Sequence, residues 1–244
     1  MANSQEEALA RSAVYELLSM AFLYPEEETA AQVADAARTL TPMVSALGWP
    51  QVKMALHDLG EQAGQLTQPA FREQYSRVFR HIISADCAPY EAEYGQAHVF
   101  QKSHTLADLN AFYAAFGVTA NPDHKDRCDH ISAEMEFMHL LTLKEAYAQE
   151  DADGGENLGL CRRAQESFLA NHLATWVETF AQRLLLKAGE GGVYASLSKL
   201  LETHMSREFG MFQLSTKPGD LGEPTDADED DQECYAEPWE VKAL

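Results

Sequence analysis

Positive charge is scarce in this chain: 18 lysines and arginines stand against 39 aspartates and glutamates, a formal net charge of −21 over 244 residues. A nucleic-acid binder needs a basic footprint to displace counterions from phosphates, and no Lys/Arg cluster is present, which speaks against that partner class. An anionic membrane surface is disfavoured on the same ground. Cysteine is sparse as well. Cys87, Cys128, Cys161 and Cys234 are far apart and form no CxxC, which removes zinc ribbons and thioredoxin-type sites. In a reducing compartment they are four free thiols. No apolar run approaches the roughly 18 residues that a membrane span needs. Residues 1–7 lack the basic and apolar regions of a secretory signal, so the expected location is the cytoplasm. What remains is an acidic protein suited to basic partners, such as a peptide with paired arginines.

Hydrophobic residues make up 45% of the chain, enough to bury a core, and their spacing is helical almost throughout. Leu9, Ala13, Leu17, Met20 and Ala21 mark a first helix that Pro25 stops. Residues 29–47 form a second and 52–66 a third, with Pro50 suited to open it. Pro69 opens a fourth, whose face is Phe71, Tyr75, Val78, Phe79 and Ile82. The helical pattern fails from Ser84 to about Ser103, where residues 86–95 read as an ordered loop carrying Tyr90 and Tyr94. A helix over 106–116 ends at Gly117. Three more follow, over about 126–149, 158–187 and 193–209. No strand is evident. Residues 216–244 hold 10 acidic and 2 basic residues and three prolines, the composition of a disordered tail. Its end, from Cys234 to Trp239, is less polar and has the means to dock. The expectation is all-α: one helical domain of about eight helices over 1–215, then the acidic tail over 216–244.

The densest set of chemically capable residues lies over 126–139. Asp129 is placed to cap a helix N-terminus. His130 and Glu134 share a helical face, and Glu136 and His139 form an ExxH pair. A di-iron bundle needs a second ExxH, and there is none; HExxH is absent too. A hydrolase using a metal or nucleotide through His130, Glu134, Glu136 and His139 is the enzyme alternative, and it has half a site. A charged, capped helix start is the plainer account. The chain shows no nucleophile triad order, phosphate loop or cofactor fingerprint.

Two motifs in order resemble the TorD/DmsD/NarJ family of molybdoenzyme maturation chaperones. Cys87-Ala-Pro-Tyr-Glu-Ala-Glu-Tyr94 is similar to its PPYES-type loop, and Asp129-His130-Ile-Ser-Ala-Glu134-Met-Glu-Phe137-Met138 to its D-H-x-x-x-E-x-x-F-M helix. Tyr75-Ser-Arg-Val-Phe79 resembles the Y-x-x-L-F segment, and Phe168-Leu-Ala-Asn-His172-Leu-Ala-Thr-Trp176 the F-x-x-x-H-L-x-x-W helix. Ala88 and Ala92 stand where the family usually has Pro and Ser, so any role of that serine is absent. The resemblance covers about residues 8–209. It implies a TorD-like helical bundle, monomeric or homodimeric, that is no enzyme and holds no cofactor or metal of its own. Such a chaperone binds the N-terminal segment of a molybdopterin-dependent oxidoreductase catalytic subunit. That segment is often a twin-arginine signal, and the chaperone assists cofactor insertion before export. A NarJ-like chaperone for a non-exported subunit is the close alternative. The implied peptide-binding residues are Phe79, Pro89, Tyr90 and Tyr94 for the apolar part. Glu91, Asp129 and Glu134 would meet the arginines, and His130 the peptide backbone or the loop.

Overall fold

The computed structural model describes residues 4–79, 86–94, 99–121, 127–151, 154–189, 191–215 and 239–241. The helices run α1 Ser4–Phe22, α2 Thr29–Ala46, α3 Pro50–Gly64, α4 Gln68–Phe79, α5 Val99–Ala115, α6 Ile131–Glu150, α7 Gly155–Phe168, α8 Ala174–Ala188 and α9 Val193–Met211. A π-helical turn, Leu169–Leu173, joins α7 to α8 without a break. Counting that run as one rod, the described residues hold eight helices, as the periodicity predicts.

α1 and α6 are buried over more than one face, which marks them as central. They pack mainly on each other; α2 pairs with α3, α3 and α8 lie on α9, and α7 lies on α6. The core runs through all of them, from Val14, Leu18 and Phe22 to Met135, Leu141, Phe180 and Leu201. Local chemistry sets several helix ends. Pro50 opens α3. Gly117, at φ 74°, takes the left-handed conformation that follows α5. Gln74 on α4 accepts from the Val193 N–H at 3.1 Å and so caps α9.

Three expectations need correction. α5 begins at Val99, inside the stretch 84–103 where the helical pattern fails, because no apolar residue stands between Phe100 and Leu106 to carry the spacing. α6 begins at Ile131, not near 126. There are also strands: β1 Val118–Asn121 and β2 Trp239–Val241 pair antiparallel, Val118 opposite Val241 and Thr119 opposite Glu240, with a bulge at Ala120/Asn121. Four and three residues are too few for alternation to be read from sequence. The tail assigned to 216–244 lies outside the described residues except for β2.

Among the described residues no helix is long and apolar enough to cross a membrane. Cys87, Cys128 and Cys161 are free and buried. Burial pushes the Cys87 and Cys128 thiols up to about 12, so neither offers a reactive thiolate at neutral pH.

Candidate functional site

Residues 86–94 form a short irregular strap, and its backbone is sewn to the start of α6. Tyr90 and His130 form an antiparallel bridge. Glu91 N–H donates to the Asp129 carbonyl at 2.9 Å, and Ile131 N–H to the Pro89 carbonyl at 2.8 Å. A 3-10 turn, Glu91–Glu93, follows. The Tyr94 hydroxyl closes the strap by donating to the Ala88 carbonyl at 2.8 Å. The two motifs, about 35 residues apart in sequence, therefore make one unit.

The helix cap differs from the sequence reading. His130, not Asp129, is the N-cap of α6: its Nδ1 accepts from Ser132 N–H at 3.2 Å and lies 2.6 Å from the Ser132 hydroxyl. An imidazole acceptor at the N-cap frees Asp129 for another task. The Asp129 carboxylate accepts the Ala92 N–H at 3.1 Å and a two-pronged ion pair from Arg127 at 2.7 and 3.0 Å. Arg127 also reaches Glu93 at 3.1 Å and lies 4.7 Å from the centre of the Tyr90 ring. α5 supports this turn from below: the Tyr113 hydroxyl donates to the Cys128 carbonyl at 2.9 Å, and the Asn110 amide reaches the Cys128 sulfur.

The π turn supplies the next layer. A π turn adds a residue to the helical repeat and re-aims the side chains around it. Here His172 meets the Glu91 carboxylate at 3.1 Å through Nδ1, and its Nε2 lies 3.5 Å from Asp108. One turn on, the Trp176 indole N–H donates to Glu134 at 3.3 Å, and its ring packs against Tyr94. Tyr94 also touches Phe180 and lies under the Arg183 guanidinium. Phe79 packs on Phe180 and Tyr194, so it joins Tyr94 through Phe180 and not directly.

The acids are the unusual part. Asp129 and Glu134 are fully buried and Glu91 is 6% exposed. Glu134 has one oxygen on Trp176 and the other without a hydrogen-bond partner. Burial, then the neighbouring Glu91 and Asp129 charges, hold the Glu134 carboxyl well above the ordinary range. Burial also raises Glu91, and His172 works against that rise. The acids read from sequence as facing a ligand are thus buried, Glu91 within the strap and Asp129 and Glu134 at the helix start it is bound to, while Tyr90 and Tyr94 are half-buried and Pro89 is buried. Sequence reasoning did not name Arg127, His172, Trp176 or Arg183 as site residues. The Phe168-to-Trp176 motif contained the signal for two of them.

The metal alternative has no geometry behind it. Among the described residues no three His, Cys, Asp or Glu side chains gather to hold a metal ion. His130 serves Ser132 and Glu134 serves Trp176; His139 Nδ1 is 3.0 Å from the Ser12 carbonyl, and Glu136 is exposed.

The chain is similar in sequence to known proteins. The family described as Nitrate reductase delta subunit matches residues 26–182. The chain is 30% identical over 175 residues to the perchlorate reductase assembly chaperone protein of Dechloromonas aromatica (strain RCB), covering 70% of this chain and 76% of the relative. It is 37% identical over 103 residues to the chlorate reductase assembly chaperone protein of Ideonella dechloratans. Over the same length it is 35% identical to the selenate reductase assembly chaperone protein of Thauera selenatis. Each of these two matches covers 42% of this chain and 52% of the relative, about half its length.

Proposed function

This chain belongs to the nitrate reductase delta subunit family, within the TorD/NarJ group its motifs resemble, and on that premise we propose that it is a cytoplasmic assembly chaperone with no catalytic turnover. Its client is the catalytic subunit of a molybdopterin-dependent reductase. It binds that subunit's N-terminal segment and holds it during cofactor insertion. The observation that carries this reading is the seam between the strap and α6. It brings the half-buried Tyr90 and Tyr94 rings and three buried acids, Glu91, Asp129 and Glu134, into one unit. A peptide with an apolar stretch beside basic residues matches both kinds of group.

The roles divide by depth. Tyr90 and Tyr94 offer apolar contact, with Pro89 and Phe79 behind them. Asp129 is paired with Arg127, while Glu91 and Glu134, both raised by burial, are acids that basic residues of the peptide would draw into ionisation. His130 holds the strap to α6. The relatives are named as assembly chaperones of three different reductases, which favours this client class over a hydrolase built on His130, Glu134, Glu136 and His139.

The test begins by identifying the reductase subunit that co-purifies with the chain, then titrates its synthetic N-terminal peptide by calorimetry. Binding should weaken at higher salt, as charge attraction requires. Tyr90→Ala should weaken it by roughly 1–3 kcal/mol, the usual cost of losing an interface aromatic. Replacing paired arginines in the peptide, if it has them, separates a twin-arginine client from a non-exported one. A folded Tyr90→Ala variant that binds like the parent would remove the strap from the site.

A further inference from the structure

β1 and β2 meet under conditions that make their pairing easy to undo. β2 is three residues long, and its register with β1 is broken by the bulge at Ala120/Asn121. A lone two-stranded pair is marginal in water. β2 also follows a segment, 216–238, whose sequence holds nine acidic residues and one basic residue, in a chain whose other residues carry a net −13. Docking it there costs charge repulsion that a basic segment would relieve.

The position of β1 is equally telling. It follows directly from α5, whose Tyr113 and Asn110 hold Cys128 at the floor of the candidate site. Asn121 is six residues from Arg127, so β1 lies at most about 20 Å of chain from the strap seam. A strand edge recognises extended backbone of almost any sequence, because the contacts are main-chain N–H and C=O groups.

We propose that β1 is a strand-addition edge for an extended, basic stretch of the client peptide, and that β2 is its intramolecular placeholder, displaced on binding. This rests on the reading that the peptide binds at the strap, and adds a second point of attachment and a built-in competitor. The acidity of the sequence before β2 makes a basic peptide the favoured competitor for β1.

The experiment uses the full-length chain and its Val241→Pro variant. Proline cannot donate to a ladder and disfavours strand pairing, and this substitution leaves every acid of the tail in place. The first readout is hydrogen exchange at residues 118–121, expected to be slower in the parent and faster in Val241→Pro. The second is calorimetric affinity for the N-terminal peptide of the co-purifying reductase subunit. It should rise about three- to tenfold in the variant, because the fraction of open edge rises. Peptide binding should restore protection at 118–121 in Val241→Pro, and a synthetic peptide of residues 233–244 should weaken binding again. Equal affinity for both proteins, with no restored protection, would overturn the proposal and leave the chaperone reading intact. Unchanged exchange at 118–121 in the variant would overturn it as well. Binding to neither folded protein sinks both.

Discussion

Arg11 and Glu134 are each almost sealed from water, at 1% and 0% exposure, yet their surroundings are built on opposite terms. The Arg11 guanidinium is saturated. It makes a fork with Glu208 at 2.6–2.9 Å, an ion pair with Glu145 at 2.8 Å and a hydrogen bond to Gln165 at 2.5 Å. Tyr15 completes Glu208 and Arg162 completes Glu145. Four helices, α1, α6, α7 and α9, converge on that one cation. Under the strap the balance is reversed: three carboxylates share Arg127, His172 and an indole, and one Glu134 oxygen has no hydrogen-bond partner. A satisfied buried network fixes one arrangement, whereas acids that keep a proton or an unpartnered oxygen under the strap are left for an incoming cation to ionise and pair. The first cluster reads as scaffold and the second as site.

The largest expected effect comes from breaking the scaffold. Arg11→Met leaves Glu208 and Glu145 buried without their main counter-charge and should cost about 3–5 kcal/mol. Denaturant unfolding measures it. A loss under about 1 kcal/mol would show that Arg162 and Arg207, the latter 3.1 Å from Glu208, compensate, and that the contrast between the clusters is overdrawn.

Acid titration should separate the clusters next. Burial lowers His204, packed edge-on against Tyr15, from 6.5 to about 4, and Arg11 and Arg207 add to the effect while Glu208 opposes it. The unfolded chain takes up this proton first, so the stability is present above about 6.5 and drains away as pH falls toward 4. The loss is on the order of 3 kcal/mol. Glu208, lowered to about 2 by Arg11 against the cost of burial, adds a loss of the same sign below about 4.5. His204→Phe keeps the packing and should flatten the upper part of that acid limb. A variant with the parent's slope between pH 6.5 and 4 would assign the slope to other groups.

A smaller effect, about 1–3 kcal/mol, is expected for Asp129→Asn. Were Asp129 the cap, asparagine would serve almost as well. Since His130 caps α6, the substitution instead removes the charge that Arg127 grips with two nitrogens. It should loosen the strap and weaken peptide binding along with stability. A variant as stable as the parent would mean that Glu93 alone holds Arg127.

The helices were legible because apolar spacing alone reports them, and the strap because Pro89, Tyr90 and Tyr94 interrupt that spacing. What stayed hidden depended on distance or on geometry without a sequence signature. Arg11 sits in an apolar stripe, and nothing local names Glu208, 197 residues away, as its partner. His172 and Trp176 lie on a helix whose periodicity hides a π turn, so their aim at Glu91 and Glu134 cannot be counted from spacing. The carboxylates were readable as a cluster, but their depth was not: burial is a property of what the strap covers, and only the seam between Glu91 and Asp129 reveals it.

The sharpest test of the contrast has the smallest effect at any single pH. Glu134 is held well above the ordinary carboxyl range, first by burial and then by Glu91 and Asp129. Its folded form keeps a proton that the unfolded chain has released, so its contribution is intact below about 4.5, the ordinary glutamate value, and is lost as pH rises through the folded-state value. The sign is opposite to that of His204 and Glu208. Glu134→Gln is close in shape, still accepts from Trp176, and cannot ionise. Near pH 5 it should lie within about 1 kcal/mol of the parent, its amide being no better satisfied than the orphan oxygen it replaces. As pH rises it should gain on the parent steadily, because only the parent has an unfolded form that gains by releasing this proton. Stability measured at matched ionic strength from pH 5 to 9 gives two curves that diverge at the alkaline end. Parallel curves would mean that Glu134 ionises as readily in the folded chain as in the unfolded one, and that burial beside Glu91 and Asp129 does not hold its proton.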